Sequence, residues 1–332
     1  MVHMNFVMYI FTFFSEILCY IFFMKPNDVL LSKNGMATQQ VAIKLLQYAP
    51  GDKIPTISEL SESLNLARGT VQNAIFTLEE TKAIKIHSRG ILGSFLEEYD
   101  INRIMEIVGI DVLLGAMPLP YFKRLEGLAY GLIQELEKFS KVPVHMGYTA
   151  GAENRVNLIR NRRYDFAVTS LLFAQEYLKD HDDMEIILRL GKKTISGGHL
   201  IVFSKNNADK TEIEDGMKVG IADIQVVHSI LTRHLCEGKD VTFVTMNYNS
   251  VKSDLDSGKY DCVILNVDEQ HIFVPDYHSV SIHYEDGADT EAVVMILKRF
   301  DPIAQNIIQY LSVDNVVDLQ NRVLNGEIFP NY

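Results

Sequence analysis

Four hydrogen-bonding side chains, those of Arg68, Thr70, Gln72 and Asn73, lie close together in the sequence. Guanidinium and amide groups donate hydrogen bonds to the base edges of DNA, and hydroxyl and guanidinium groups donate to phosphates. Apolar Val71 falls among them, so a helix here would bury its apolar side and leave the polar side exposed. The chemistry that this cluster predicts is recognition of a nucleic acid.

A helix-turn-helix would position this cluster, and residues 54–95 have the pattern of one. Thr56 or Ser58 can cap the first helix, and the second begins near Ala67 after a tight turn. The expected core positions, spaced by three and four residues, are Ile57, Leu60 and Leu64 in the first helix and Val71, Ala74, Ile75 and Leu78 in the second. Two helices joined by a turn of about three to four residues place the second one in the major groove.

A β-hairpin is expected to follow, which makes the motif a winged helix. Residues 83–87 alternate apolar and polar as a half-buried strand does, residues 88–90 form a turn, and residues 91–95 return as the second strand. Arg89 at the tip can enter the adjacent minor groove or pair with a phosphate. The predicted DNA-binding set is Thr56, Ser58, Arg68, Gly69, Thr70, Gln72, Asn73, Lys85, His87, Arg89 and Gly90.

This stretch resembles the GntR-type winged-helix regulators, and residues 55–60, 66–72 and 78–79 carry the resemblance. In that family a proline and small hydroxylic residues precede the first helix, and Ser-Arg-x-Thr-Val-Arg opens the recognition helix. Ala67 stands where the family usually has serine, and Gln72 where it usually has arginine, which removes one cationic contact. The resemblance implies a DNA-binding head; a winged helix used only for protein contacts is the alternative.

The charge distribution bounds how such a head would bind. The chain has 332 residues, enough for two or three domains, and a net charge of −12. Residues 37–96 contain six Lys and Arg against five Asp and Glu, which leaves a charge of +1. Because affinity follows the number of neutralised phosphates, one such head would bind weakly. We therefore expect a homodimer on a palindromic double-stranded DNA operator.

Residues 1–33 form a hydrophobic leader that admits three interpretations. Residues 6–24 are long enough to span a bilayer, although Glu16 near the middle would cost about 2.5–3.5 kcal/mol on insertion. The segment is a membrane anchor, or upstream sequence before a true start at Met24 or Met36, or a helix buried in a dimer interface. It lacks the features of a signal peptide. Three widely spaced cysteines, Cys19, Cys236 and Cys262, fit a reducing cytoplasm, with or without a tether by residues 4–24.

The winged head covers residues 34–96, and a polar helical connector covers residues 97–108. Beyond them the sequence pattern changes. In residues 109–332 strands are expected at 110–115, 142–147 and 164–169, with helices between them. This β-α-β-α-β order predicts a parallel sheet with helices on its faces. A second lobe begins near residue 218, and the chain returns to the first lobe at residues 293–297.

The two lobes share a repeated sequence pattern. Tyr164-Asp165 and Tyr260-Asp261 each join a helix to a buried strand. Two lobes of the same plan, joined by crossing strands, resemble the type 2 periplasmic-binding-protein fold, and the combination with a GntR-like head resembles the YhfZ-type transcriptional regulators. The fold class is therefore α/β, with a winged helix-turn-helix N-terminal domain and a two-lobed α/β domain like that of type 2 periplasmic binding proteins.

Ligands of open α/β sheets bind beyond the carboxyl ends of the strands, and two lobes place that crevice between them. Amide groups at helix starts favour an anionic ligand, and Arg155 is a candidate counter-ion. The predicted effector-binding residues are Met117, Pro118, Tyr121, Tyr148, Thr149, Gly151, Arg155, Thr169, Ser170, Gly197, Gly198, His199, Asp223, Asn266 and Asp268.

No enzyme is expected, because the sequence has no phosphate-cradling loop, nucleophile elbow or His-Glu-x-x-His motif. The histidines show no ligand spacing, so neither a metal nor a cofactor is predicted. The sequence thus favours a DNA-binding regulator whose operator affinity responds to a small, anionic metabolite. A membrane-tethered solute-binding protein or sensor is the alternative, and an enzyme on the two-lobe scaffold is a third.

Overall fold

The computed structural model describes residues 32–109, 111–140, 142–222, 227–284, 287–298, 302–309 and 311–331. The hydrophobic leader lies outside these residues. In the described ranges, no helix has both the length and the apolar character needed to cross a membrane. The chain divides into two compact units, residues 1–110 and 111–332.

The first unit contains four helices and a two-stranded hairpin among its described residues. They are α1 (Lys33–Leu45), α2 (Ile57–Ser63), α3 (Arg68–Glu80), β1 (Ile84–Ser88), β2 (Ser94–Tyr99) and α4 (Ile101–Val108). Helix α2 begins where Thr56 forms a capping box with Glu59, which satisfies two main-chain N–H groups at the helix start. Helix α3 packs against α1 and α2 through Val71, Ala74 and Leu78, all buried.

Three details of this unit differ from the expectation. Ile57 is exposed rather than in the core, because it is the first residue of α2 and Leu60 alone fills the buried side of that short helix. Strand β2 begins at Ser94, since a 3₁₀ turn over Gly90–Leu92 lengthens the wing tip. The connector is not a separate polar segment: Ile104 and Met105 of α4 are buried, and the Gln39 amide donates to the Ile107 and Val108 carbonyls.

The second unit is built on two five-stranded sheets. The first contains β3 (Leu113–Met117), β4 (Val144–Tyr148), β5 (Phe166–Ser170), β6 (Met184–Arg189) and β12 (Ala292–Leu297), in the order β4-β3-β5-β12-β6. The second contains β7 (His199–Phe203), β8 (Lys218–Ile221), β9 (Thr242–Thr245), β10 (Cys262–Asn266) and β11 (Ser279–Ile282), in the order β9-β8-β10-β7-β11.

Both sheets therefore repeat one strand order. In the first sheet the parallel strands β4, β3 and β5 lie side by side, followed by β12, which has crossed from the other lobe, and by β6 at the edge. In the second sheet the parallel strands β9, β8 and β10 are followed in the same way by β7, which has crossed, and by β11 at the edge. Strand β12 runs antiparallel to β5, and β7 runs antiparallel to β10, so the sheets are mixed rather than purely parallel as expected. This duplicated order, with two crossings between lobes, is that of the type 2 periplasmic-binding-protein fold and confirms the predicted fold class.

The repeated Tyr-Asp pattern of the sequence has a matching structure in each lobe. The Asp165 carboxylate accepts from the Leu114 N–H at 2.7 Å, and the Asp165 N–H donates to the Leu114 carbonyl. Asp261 makes the same pair of bonds with Lys218, with its carboxylate at 2.8 Å. Each aspartate thus joins the start of its own strand to the start of the neighbouring parallel strand, which fixes the register of the two.

Helices cover the faces of both sheets. They are α5 (Lys123–Ser140), α6 (Ala152–Arg160), α7 (Leu171–Tyr177), α8 (Val227–Leu235), α9 (Val251–Asp256), α10 (Val267–Phe273), α11 (Pro302–Gln309) and α12 (Val313–Leu324). The leucine stripe expected on α5, at Leu125, Leu128, Leu132 and Leu136, is buried. Helix α12 crosses α5 closely at Gly131, where a Cβ atom would lie 2.7 Å from the Val316 carbonyl oxygen.

Candidate functional site

The recognition face of α3 carries the polar cluster found in the sequence. Arg68, Gly69, Gln72 and Asn73 are exposed, and Thr70 is half-buried. The buried residues of the helix lie on the opposite side, against α1 and α2. The fold of the first unit thus presents hydrogen-bond donors along one helix face.

Two exposed apolar features of this unit were missed from the sequence. Phe76 on α3 is 63% exposed, and the apolar pattern of the sequence did not indicate that it lies outside the core. At the wing tip Ile91 is fully exposed and Leu92 is 59% exposed. Only the helix direction and the 3₁₀ turn reveal which apolar residues point outward.

The wing holds its predicted residues in different environments. The Arg89 guanidinium lies over the Phe95 ring, 4.4 Å from its centroid, and Gly90 adopts a φ of 59°, which favours glycine. His87 is exposed. The Lys85 ammonium donates to the Glu97 carboxylate at 2.8 Å, so part of its charge is already compensated.

Ser58 and Thr56 lie at the start of α2. Ser58 is exposed, while the Thr56 hydroxyl accepts from the Glu59 N–H and the Glu59 carboxylate accepts from the Thr56 N–H. Thr56 therefore stabilises the helix start whether or not it contacts DNA. Every predicted DNA-binding residue lies in the first unit, and their contact with DNA remains a prediction.

The predicted effector-binding residues that the structure describes lie at or near strand ends of the second unit: after β3, β4, β5 and β10, and at the start of β7. Six of them are buried: Met117, Arg155, Thr169, Ser170, His199 and Asn266. Seven are half-buried: Pro118, Tyr148, Thr149, Gly151, Gly197, Gly198 and Asp268. Tyr121 is 66% exposed, and Asp223 lies outside the described residues.

Several of these side chains are used by the fold itself. Ser170 caps α7 by accepting from the Phe173 N–H, and Asn266 caps α10 by accepting from the Asp268 N–H. Arg155 donates to the carbonyls of Val168 and Thr149, at 3.0 and 2.9 Å. Burial lowers the pKa of Arg155 to about 10, so it stays a cation at neutral pH. Its contacts give Arg155 a structural role at the strand ends, and its role as effector counter-ion stays a prediction.

A cavity of about 310 Å³ opens beside the two segments that cross between the lobes. It brings together the predicted residues Gly197, Gly198 and His199. It adds two cations that the sequence did not single out, Lys192 and Lys193, on the first crossing segment. Its lining consists of Lys192, Lys193, Gly197, Gly198, His199, Val267, Ser281, Ile282, His283, Tyr284, Gly287, Asp289 and Thr290.

One ion pair joins the two lobes directly. Arg124, near the start of α5 in the first lobe, donates through Nε and Nη2 to the Asp268 carboxylate of the second lobe, at 2.8 and 3.2 Å. The Gly197 N–H also donates to Asp268, at 2.8 Å. A Cβ atom at Gly197 would lie 2.9 Å from the Arg124 guanidinium, so glycine leaves room for the pair. We call this contact the interlobe clamp.

A buried polar network lies next to the clamp. His199 Nδ1 is 2.8 Å from an oxygen of Asp289, and the ring of His199 meets that of His228 edge-on. His228 is hydrogen-bonded to the Tyr248 hydroxyl and lies 4.0 Å from the Glu269 carboxylate. Burial, with His199 nearby, lowers the pKa of His228 to about 3, and burial raises the pKa of Glu269 to about 7.

These groups are bound to one another rather than arranged around a metal. In the parts of the chain that the structure describes, no group of three or more His, Cys, Asp or Glu side chains is placed to hold a metal ion. The arrangement is suited to binding a small molecule between two lobes.

The first unit and the second define a class of protein, a helix-turn-helix head followed by a two-lobed domain like that of periplasmic binding proteins. The family described as a helix-turn-helix domain matches residues 49–96, and the one described as the YhfZ C-terminal domain matches residues 100–332. The chain belongs to the YhfZ family.

Two YhfZ proteins are similar to this chain and agree with this assignment. The chain is 30% identical over 305 residues to the YhfZ protein of Escherichia coli (strain K12), which covers 91% of this chain and 98% of that protein. The crystal structure of YhfZ from Shigella flexneri matches with a TM-score of 0.60 and 29% identity, over 70% of this chain and 98% of the other. A periplasmic substrate-binding protein of an ABC transporter from Coxiella burnetii matches with a TM-score of 0.45 and 9% identity, over 66% and 100%.

Replacing Glu269 by glutamine is expected to remove a pH dependence of stability. The unfolded carboxyl ionises near pH 4.5 and the folded one near 7, so in this window the folded state holds the extra proton. Stability from this group is therefore complete below pH 4.5 and is lost as the pH rises to about 7, by about 3 kcal/mol. Glutamine keeps an oxygen for the Asn266 N–H, so the melting temperature of Glu269→Gln relative to the parent should rise between pH 5 and 8. If the difference in melting temperature between the variant and the parent stays constant across that range, Glu269 is already ionised in the folded state and the account of its pKa is wrong.

Breaking the interlobe clamp is expected to let the lobes separate. Arg124→Ala leaves the half-buried Asp268 carboxylate without its cation, which costs about 1–3 kcal/mol. Spin labels on cysteines introduced at the exposed residues Asn161 and Lys252, one in each lobe, should report a longer and broader distance in this variant.

The matched control for the clamp is Arg160→Ala. Arg160 makes an equally close bidentate pair with Asp183, at 2.8 and 2.9 Å, but both residues belong to the first lobe. Its loss should leave the interlobe distance unchanged. If both variants shift the distance alike, or neither does, the clamp does not hold the lobes.

Proposed function

We propose that this protein is a dimeric transcriptional regulator whose affinity for a palindromic operator is set by a small anionic metabolite bound between its two lobes. The observation that carries the proposal is the exposed polar face of α3, supported from behind by a buried core. A helix held in this way has the geometry that enters a major groove.

The order of residues at the start of α3 supports a head of the GntR type. Arg68, Gly69, Thr70 and Val71 occupy its first turn, where Arg68 and Gly69 are exposed and Val71 is buried. In helix-turn-helix proteins the N-terminal residues of the second helix contact base edges. Arg68 is therefore the side chain that we assign to a base or a phosphate at the groove.

The charge of the head supports the proposal of a dimer. With a charge of +1 over residues 37–96, a single head neutralises few phosphates. Two heads on a palindrome double the contacts and fix the spacing of the half-sites. We propose that the protein binds its operator in the cytoplasm.

The effector is proposed to be an anion because two cationic residues, Lys192 and Lys193, line the cavity at the crossing segments. Gly197 and Gly198 lie in the same lining, and their main-chain N–H groups donate to the Asp268 carboxylate and to the Ser196 hydroxyl. Ligand binding would bias the lobes toward closure, and through it the head, only by the difference in its affinity for the two states. We assign binding rather than catalysis to this site.

Replacement of Arg68 by alanine tests the DNA-binding part. Duplexes enriched from a random pool by the full chain should bind the Arg68→Ala variant more weakly by about 1–3 kcal/mol, since a groove contact is lost. Fluorescence anisotropy measures this, and Lys252→Ala, which removes a positive charge from the second lobe, is the control with parental affinity. Equal affinity of the Arg68 variant and the parent would remove the basis for the regulator assignment.

A calorimetric screen of anionic metabolites against the full chain tests the effector part. The metabolite that binds should lose affinity in Lys192→Gln and in Lys193→Gln, because each removes one positive charge from the cavity lining. The control is Lys205→Gln on the second lobe, whose ammonium pairs with Asp256 away from this lining. A bound metabolite whose affinity ignores both cavity lysines would place the effector elsewhere.

A further inference from the structure

Phe76 lies on the outward side of the recognition helix, opposite its buried face. Val71, Ala74 and Leu78 define the buried side of α3. At 3.6 residues per turn, the direction of Phe76 is roughly 165° around the helix from the mean direction of those three. Its side chain is 63% exposed, so it contributes little to the core of the first unit.

The neighbours of Phe76 on this face are polar. Gln72 and Asn73 precede it by four and three residues, one helical turn, and both are exposed. Side-chain amides of this kind pair with the N6 and N7 atoms of adenine in the major groove. An exposed aromatic ring beside two amides on one helix face is complementary to a partner that offers both polar base edges and an apolar group.

Thymine supplies that apolar group, because its 5-methyl is the one methyl group that the four standard bases present in the major groove. We infer that Phe76 is a specificity-determining residue that packs on a thymine methyl group, next to an A·T pair read by Gln72 or Asn73. The inference rests on the proposed DNA-binding function and deepens it, since it specifies that each half-site contains adjacent A·T pairs.

The charge along α3 is consistent with this placement. Arg68 lies at the start of the helix, and Glu79 and Glu80 lie at its end. Carboxylates are repelled by phosphates, so the end of the helix faces away from the backbone while its first turns enter the groove. The Glu79 carboxylate accepts from the Ile86 N–H of the wing, and Glu79 itself is exposed. Phe76 lies in the third turn, between these first turns and the two carboxylates, and is a large apolar side chain that α3 leaves exposed.

The size of the effect follows from the area that one methyl group buries. A buried methylene-sized group contributes about 0.8 kcal/mol, which is about four-fold in affinity. Replacing thymine by deoxyuridine removes this methyl group and leaves the hydrogen-bonding edges intact. The substitution therefore isolates the apolar contact.

The experiment combines base and side-chain replacement on duplexes enriched by the full chain. Each thymine of the enriched site is replaced in turn by deoxyuridine, and affinity is measured by fluorescence anisotropy. The parent should lose about four-fold at one thymine of each half-site. Phe76→Ala should bind the thymine and deoxyuridine duplexes alike, and Phe76→Leu should keep a smaller preference for thymine.

The matched control is Phe329→Ala. Phe329 is another exposed phenylalanine, 90% exposed, and lies in the second unit. Its replacement should leave both the affinity and the deoxyuridine effect as in the parent. Because both phenylalanines are largely exposed, neither variant is expected to unfold.

Two outcomes would overturn the inference. One is a parent whose affinity is insensitive to deoxyuridine at every position, and the other is a Phe76→Ala variant that keeps the full methyl effect and instead loses self-association, as a residue of a dimer interface would. Failure of the proposed function is distinguishable, because then Arg68→Ala and the parent bind every duplex equally.

Discussion

The second unit depends on how the chain crosses between its two sheets. The crossing segments are hydrogen-bonded to each other: the Ala292 N–H donates to the Thr194 hydroxyl at 2.8 Å, and the Ile195 N–H donates to the Thr290 carbonyl at 3.0 Å. The buried contact of His199 with Asp289 adds a side-chain link. Because both crossings also start or end a core strand, any change in the angle between the lobes must act on these bonds.

The groups that can sense a ligand are gathered at the same place. The cavity lysines follow β6 on the first crossing, and the interlobe clamp joins Arg124 to Asp268 just beside it. Gln320 of α12 donates to the carbonyls of both Arg124 and Thr194, so the C-terminal helix also holds this region. An anion that enters the cavity would meet two cations next to an existing carboxylate–guanidinium pair, and its charge would alter the balance that keeps the lobes together.

Much of the fold was predictable from periodicity. The leucine stripe of α5, the apolar face of α3 and the repeated Tyr-Asp units each correspond to a buried face or a strand pairing in the structure. Helix α7 and strand β6 were missed, because residues 171–189 follow β5 without a turn signal and their apolar residues fit either period. The mixed strand directions escaped prediction since they follow from the crossings, which are long-range.

The candidate sites were less predictable for a related reason. The exposed donors of α3 follow from helical spacing alone. The exposure of Phe76 depends on how the other helices of the first unit pack against α3, which the spacing does not show. The sequence did not single out Lys192 and Lys193, and the return of the second crossing segment places them on a cavity. The role of Arg155 as a ligand counter-ion stays a prediction, and the sequence did not indicate that its guanidinium also binds the carbonyls of Val168 and Thr149.

The central claim is that effector binding between the lobes and operator binding by the head are linked in one equilibrium. The direct measurement is the dissociation constant of the full chain for its enriched duplex, with and without a saturating concentration of the anion that calorimetry identifies. The account predicts a change of about 5- to 150-fold, and an equal change in the affinity for the anion when the duplex is bound. An anion that binds the lobes while the operator affinity stays constant would contradict it.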